Sequence, residues 1–143
     1  MDVKTKKARN FRNYKVWQDA VDYASKVYKI TAEMPWFEKK GLCDQLQRAV
    51  VSISSNIAEG AAKPSDSEFA RFLDTSLGSA FEVETQLLIA KNIGYIKNAN
   101  DNVNDNSNDN VNDNGGVTYE VLLAELQEIE RQINGLIGVV RKE

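Results

Sequence analysis

Histidine is absent from this chain, which leaves carboxylates, arginines, lysines, a few aromatics and one thiol, Cys43, to do any chemistry. That absence excludes a histidine general base, a Ser-His or Cys-His nucleophile, a His-ligated zinc and a Glu-x-x-His di-iron site. Glu82 and Glu84 are two apart, so on a helix they point to different faces and make a poor metal pair. No catalytic, metal-ligating or cofactor-binding set emerges, and a non-enzymatic role is expected. Phosphate recognition is the chemistry left open. Arg48 and Arg71 each carry a guanidinium that bonds phosphate bidentately. The competing reading is an ion pair with Glu59, Glu82 or Glu84, which arginines among carboxylates on packed helices usually make. Lys4, Lys6, Lys7, Arg9, Arg12 and Lys15 crowd the first fifteen residues against one acid, Asp2. They form either a basic arm for nucleic acid or a solvated, frayed terminus.

The remaining candidates divide between function and packing in the same way. Asn56 and Glu59 resemble a polar site, but a buried polar residue more often fixes register in a helical assembly. Trp17, Trp36 and Phe37 are able to stack bases. Trp17, however, falls on a core stripe, and Trp36 and Phe37 are placed to staple the second helix. Cys43 is treated as inert, since only Lys39 and Lys40 precede Arg48 as basic neighbours.

The elements that must position these residues are helices. The first spans about Tyr14 to Glu33, with Trp17, Ala20, Val21, Ala24, Val27, Tyr28 and Thr31 on one stripe until Met34-Pro35-Trp36 breaks it. The second spans about Glu38 to Ala62 on Leu42, Leu46, Val50, Ile53 and Ile57. Between Asp44 and Glu59 its only charge is Arg48, and its flank at Gln45, Ala49, Ser52 and Asn56 is small and uncharged. A helix with so little charged face is expected to be buried on more than one side, centrally or between subunits. Gly60 to Pro64 reads as the next break, and Ser65-Asp66-Ser67-Glu68 as a capping box. The third helix runs to about Ile96, with Gly78 inside it marking a tight crossing beside Ser76, Ser79 and Ala80. The fourth begins near Thr118 and carries Leu122, Leu126, Ile129, Ile133, Leu136, Ile137 and Val140. Short connections predict an all-α, antiparallel up-down-up-down four-helix bundle. Residues 1–143 form one domain, in which 1–13 is the basic arm.

Residues 98–117 are a low-complexity insertion built on Asp-Asn-x-Asn. Such a run buries no apolar area and is expected to be disordered at the surface. Its best match to a calcium loop starts at Asn110 and puts Val121 where the bidentate glutamate belongs, so the match fails. The insertion holds Asp101, Asp105, Asp109 and Asp113, and removing those four acids from the formal charge of −3 leaves the rest at +1. The acidic balance therefore does not exclude an anionic partner. A lone cysteine, no apolar leader within Met1 to Lys15 and no long apolar run together predict a cytoplasmic protein away from membranes.

Four segments carry a family resemblance in their order and spacing. They are Val16-Trp17-Gln18-Asp19-Ala20, then Gly41-Leu42 with Gln45 to Val50, then Val51-Ser52-Ile53-Ser54-Ser55-Asn56-Ile57-Ala58-Glu59-Gly60, and Glu68 to Leu73 with Gly78-Ser79 and Glu82 to Leu87. The chain resembles the four-helix bundle proteins encoded in intervening sequences of bacterial 23S ribosomal RNA genes. Accessory variability proteins of diversity-generating retroelements are similar to the same family. The resemblance implies a ring-like homo-oligomer, a homopentamer, that acts as a scaffold or associates with RNA or DNA. For a retroelement member it also implies a reverse transcriptase partner. Two positions depart from the family pattern. Ser54 stands where proline is usual, and Gln47 replaces a second arginine beside Arg48, which lowers the charge of any basic surface on that helix. The four insertion acids oppose a polyanion wherever they approach its path.

Overall fold

A computed structural model describes residues 9–99 and 117–142. Lys4, Lys6 and Lys7 and nearly all of the Asp-Asn-x-Asn tract lie outside the described residues. Four helices account for most of the rest: α1 (Lys15–Thr31), α2 (Leu42–Ala61), α3 (Asp66–Asn92) and α4 (Tyr119–Arg141). Single 3-10 turns at Phe11–Asn13 and Trp36–Glu38 precede α1 and α2. The described residues contain no strand, and none of their helices is long and apolar enough to cross a membrane.

Local chemistry sets the ends. Ser65 Oγ accepts from the Glu68 amide at 3.2 Å and donates to Glu68 Oε2 at 3.0 Å. The capping box is thus half-formed, with the glutamate turned onto the hydroxyl and not the backbone. α2 starts at Leu42 and not Glu38, because Gly41 sits at φ −109°, ψ −113°, outside the helical region. Glu38 instead caps it, its Oε2 accepting from the Leu42 amide at 3.1 Å. α3 stops before Ile96 because Gly94 takes φ +87°. The Gly94 amide then reaches Lys91 O at 3.0 Å and the Tyr95 amide reaches Ala90 O at 2.8 Å, the two bonds of a Schellman ending.

All four helices bury a stripe in one core cluster. Val16, Ala20, Tyr23, Val27 and Ile30 line it from α1, and Leu46, Val50, Ile53 and Ile57 from α2. Phe69, Leu73, Val83 and Leu87 come from α3, with Leu122, Leu126, Ile129, Ile133 and Ile137 from α4. Each fully buried Leu, Ile or Phe contributes about 1.5–3 kcal/mol. On α1 the expected stripe holds at Ala20, Val27 and Thr31 and shifts by a position at two places. Tyr23 and Ile30 are buried whereas Val21 and Tyr28 are exposed, because the Tyr23 hydroxyl finds a partner inside, donating to Leu122 O at 2.9 Å.

α2 packs on α1 and α3, α3 on α4, and α4 on α1. The α2–α3 seam is made of small groups. Ser76 Oγ donates to Ile53 O at 2.8 Å, the Ser52 and Ser79 hydroxyls meet at 2.8 Å, and Asn56 Nδ2 donates to Ser52 O at 2.7 Å. The uncharged flank of α2 therefore has an occupant within the chain: Ala49 is buried and Ser52 and Asn56 half-buried, while Gln45 stays exposed. Gly60 belongs to α2 and is its tightest crossing. A Cβ there would lie 2.6 Å from Phe72 Cβ and 3.0 Å from Phe69 Cδ1. Gly78 is not a crossing at all, since nothing lies within 4 Å of its would-be Cβ.

Candidate nucleic-acid interface

The sequence-predicted cations fall into paired and free groups. Arg9 is a packing residue. Its guanidinium forms an ion pair with Asp66, donates to Lys63 O at 2.7 Å and lies 4.7 Å from the centre of the Phe69 ring. Only 16% of that side chain is exposed, so Arg9 pins the incoming chain to the α2–α3 corner and has little left to offer a phosphate. Lys15 donates to Asp19 Oδ2 at 2.6 Å, and the pair pushes the lysine pKa up. Asp19 is held below the usual carboxylate range first by the Gln132 amide at 2.9 Å and then by Lys15. Arg48 pairs with neither Glu59, Glu82 nor Glu84 but with Asp44, one turn away at 3.0 Å, and stays largely exposed. An exposed pair of this kind is weak and yields to a competing anion.

Arg12 and Arg71 remain. Arg12 is exposed with its guanidinium 5.6 Å from the Phe11 ring centre. Arg71 is exposed, and its guanidinium has no hydrogen bond or ion pair with any described residue. It shares a surface hollow of about 340 Å³ with Lys63, Glu68, Phe72 and Thr75. Lys63, which sequence reasoning passed over, places its ammonium 5.1 Å from the Phe72 ring centre. Its position in the break between two helices, next to Pro64, was the available signal. On its other side Arg71 borders a second hollow with Asp66 and Arg141, and Arg141 is paired to Asp74. One corner of the molecule thus gathers Arg9, Lys63, Arg71 and Arg141, with Asp66, Glu68 and Asp74 among them.

A hollow of about 440 Å³ between α1 and α4 has the opposite character. Asp19, Asp22, Glu125 and Glu128 line it, and Lys26 is tied to Glu125 at 2.8 Å. It repels a polyanion. Glu130 was also missed by sequence reasoning. It occupies the core stripe four residues after Leu126 and three before Ile133, and that spacing was legible. Burial and the facing Glu84 carboxylate push its pKa up to about 7. Asn56 has its donors satisfied by Ser52 and acts in the seam. Trp17 is half-buried against Phe11, with ring centres 5.0 Å apart. Trp36 and Phe37 do not staple α2, being 86% and 61% exposed. Cys43 is buried, and its thiol pKa is raised by that burial and by the Glu38 charge.

Among the described residues no group of three or more Cys, Asp or Glu side chains is arranged to hold a metal ion. A search of curated proteins finds no match. In shape the chain is similar to the crystal structure of a protein of unknown function from the S23 ribosomal protein family of Bacteroides thetaiotaomicron. The TM-score is 0.68 at 20% identity, over 86% of this chain and 95% of that one. A family model described as 23S rRNA-intervening sequence protein matches residues 12–113, which take in α1, α2, α3 and the seam around Asn56 and Gly60. The chain belongs to the 23S rRNA-intervening sequence protein family.

Proposed function

We propose that this protein is a non-catalytic, self-associating four-helix bundle of the cytoplasm that holds nucleic acid at the α2–α3 corner. The observation that carries the nucleic-acid reading is Arg71: an exposed guanidinium with no carboxylate partner among the described residues, in one hollow with Lys63. Arg9 supports it by fixing the start of the described chain at that corner, which brings the lysines at 4, 6 and 7 within a few residues of it. Up-down-up-down packing is supported by facing pairs that run in opposite senses along the helices, Asp19 with Gln132 and Lys26 with Glu125 for α1 and α4, and Ser52 with Ser79 and Ile53 with Ser76 for α2 and α3. Binding of a structured RNA and a duplex DNA at two salt concentrations tests the reading. Counterion release makes affinity fall steeply with salt, and Lys63→Ala/Arg71→Ala is expected to weaken binding and flatten that slope. Salt-insensitive binding, or none, contradicts it.

A second reading, a protein–protein scaffold without nucleic acid, is favoured by a different observation. Phe81, Leu88 and Ile89 are 50%, 43% and 48% exposed on α3, and Val51 is 41% exposed on α2. These exposed apolar side chains also support self-association into the homopentamer implied by the family resemblance, and light scattering measures it directly.

A further inference from the structure

The α1–α2 connection presents two aromatic rings to solvent where a short turn needs none. Trp36 and Phe37 are 86% and 61% exposed, set edge to face with ring centres 6.1 Å apart at 79°. Trp36 borders a cleft of about 350 Å³ whose other walls include Met34, Pro35, Lys39, Cys43 and Gln47. That volume lies in the lower range of small-molecule sites. Gln47 donates to Thr31 Oγ1 at 3.0 Å, which fixes the amide at the back of the cleft. Lys39 and Lys40 follow directly, are exposed, and have no ion pair with any described residue. The acid beside them, Glu38, is turned inward, accepting from the Leu42 amide at 3.1 Å and from the Tyr95 hydroxyl at 3.1 Å. Glu33 is the other carboxylate of the connection, against two free ammonium groups.

Exposed aromatic faces next to unpaired lysines match a single nucleic-acid strand. Unpaired bases stack on the rings, and the backbone between them follows the positive charge. A duplex keeps its bases stacked internally and gains little from such a platform, and a protein partner gains nothing particular from the two ammonium groups. We propose that Trp36 and Phe37, with Lys39 and Lys40, form a single-strand binding platform at the α1–α2 corner. It stands at the far end of α2 from Arg71, about 30 Å away by the rise of that helix. The platform extends the nucleic-acid reading above and rests on it, but uses different residues and different chemistry.

The test is fluorescence anisotropy of the full chain with labelled oligo(U), oligo(dT) and an RNA hairpin duplex. Trp36→Ala/Phe37→Ala is expected to weaken single-strand binding about tenfold or more and to leave the hairpin unaffected. Lys39→Ala/Lys40→Ala should flatten the salt dependence for the same oligomers, and Trp36→Tyr should retain most of the affinity. Both aromatic side chains are exposed, so the variants keep the fold, which a thermal melt checks. Undiminished single-strand binding by the aromatic double variant overturns the platform alone, the more so if Lys63→Ala/Arg71→Ala abolishes it. A parent protein that binds neither single strand nor hairpin overturns the platform and the corner together.

Discussion

Gly60 and Gly78 both lie inside helices, yet an added methyl group meets Phe72 at one and open space at the other. In an exposed helix interior, alanine is better than glycine by about 0.5–1 kcal/mol, and Gly78→Ala should gain that much. Gly60→Ala should lose about 1–3 kcal/mol, because the nearest atoms are Cβ of Phe72 and the ring of Phe69 and the two helices must part. Urea denaturation of the two variants measures the contrast, and a gain at both positions would mean that the seam is looser than described. Arg9 carries a second residue-scale consequence. Removing its guanidinium leaves Asp66 and Lys63 O without that donor, so Arg9→Ala should cost about 1–3 kcal/mol of stability. An arm variant that includes Arg9 therefore mixes folding with binding. Arg12→Ala reports on binding alone.

Within α4, Glu130 occupies a place the helix pattern reserves for an apolar residue, and Glu84 on α3 faces it. Its carboxyl is pushed up to about 7 from 4.5, first by burial and then by the Glu84 charge. The folded state therefore binds a proton that the unfolded state has already released between those two values. Stability is expected to fall as pH rises from about 4.5 to 7, and to level off above that. Glu130→Gln should flatten this fall and raise the melting temperature at pH 8, and melts at pH 5 and 8 decide it. Much of this layout was legible beforehand. The apolar spacing of Leu46, Val50, Ile53 and Ile57 marked α2, and Ser65 to Glu68 marked the start of α3. Tyr23 was missed on α1 because its burial depends on a carbonyl in α4, far away in sequence. Gly60 and Gly78 were exchanged for a related reason: helical spacing places a glycine on a face, but the approach of a second helix is a tertiary fact.

At the scale of the whole molecule, charge and apolar surface are unevenly distributed. The cations without tight partners lie at the ends, Lys63 and Arg71 at one and Lys39 and Lys40 at the other, while the α1–α4 groove is acidic. The family resemblance made a phosphate-binding reading visible from sequence, but not which arginine would be free. Arg48 and Arg71 both have carboxylates one turn away, but Asp44 pairs with Arg48 whereas Glu68 and Asp74 beside Arg71 are engaged by Ser65 and Arg141. Among the exposed apolar residues, Phe81, Leu88 and Ile89 lie together on α3, and replacing Phe81 and Leu88 with Asp should return a self-associated form to the mass of a single chain by light scattering. A mass unchanged by that pair of charges would place the interface elsewhere. The junction between α3 and α4 carries a last consequence. The Tyr119 amide donates to Lys97 O at 2.9 Å and the Ala99 amide to Glu120 Oε2 at 3.0 Å, so the chain leaves and re-enters the helical body at one clasp. Closing a loop of twice the length costs only about 0.6 kcal/mol more. A gene in which the Asp-Asn-x-Asn repeat gains or loses units by slippage is therefore expected to encode the same helical body each time, the length between the two sides of the clasp being nearly free to drift.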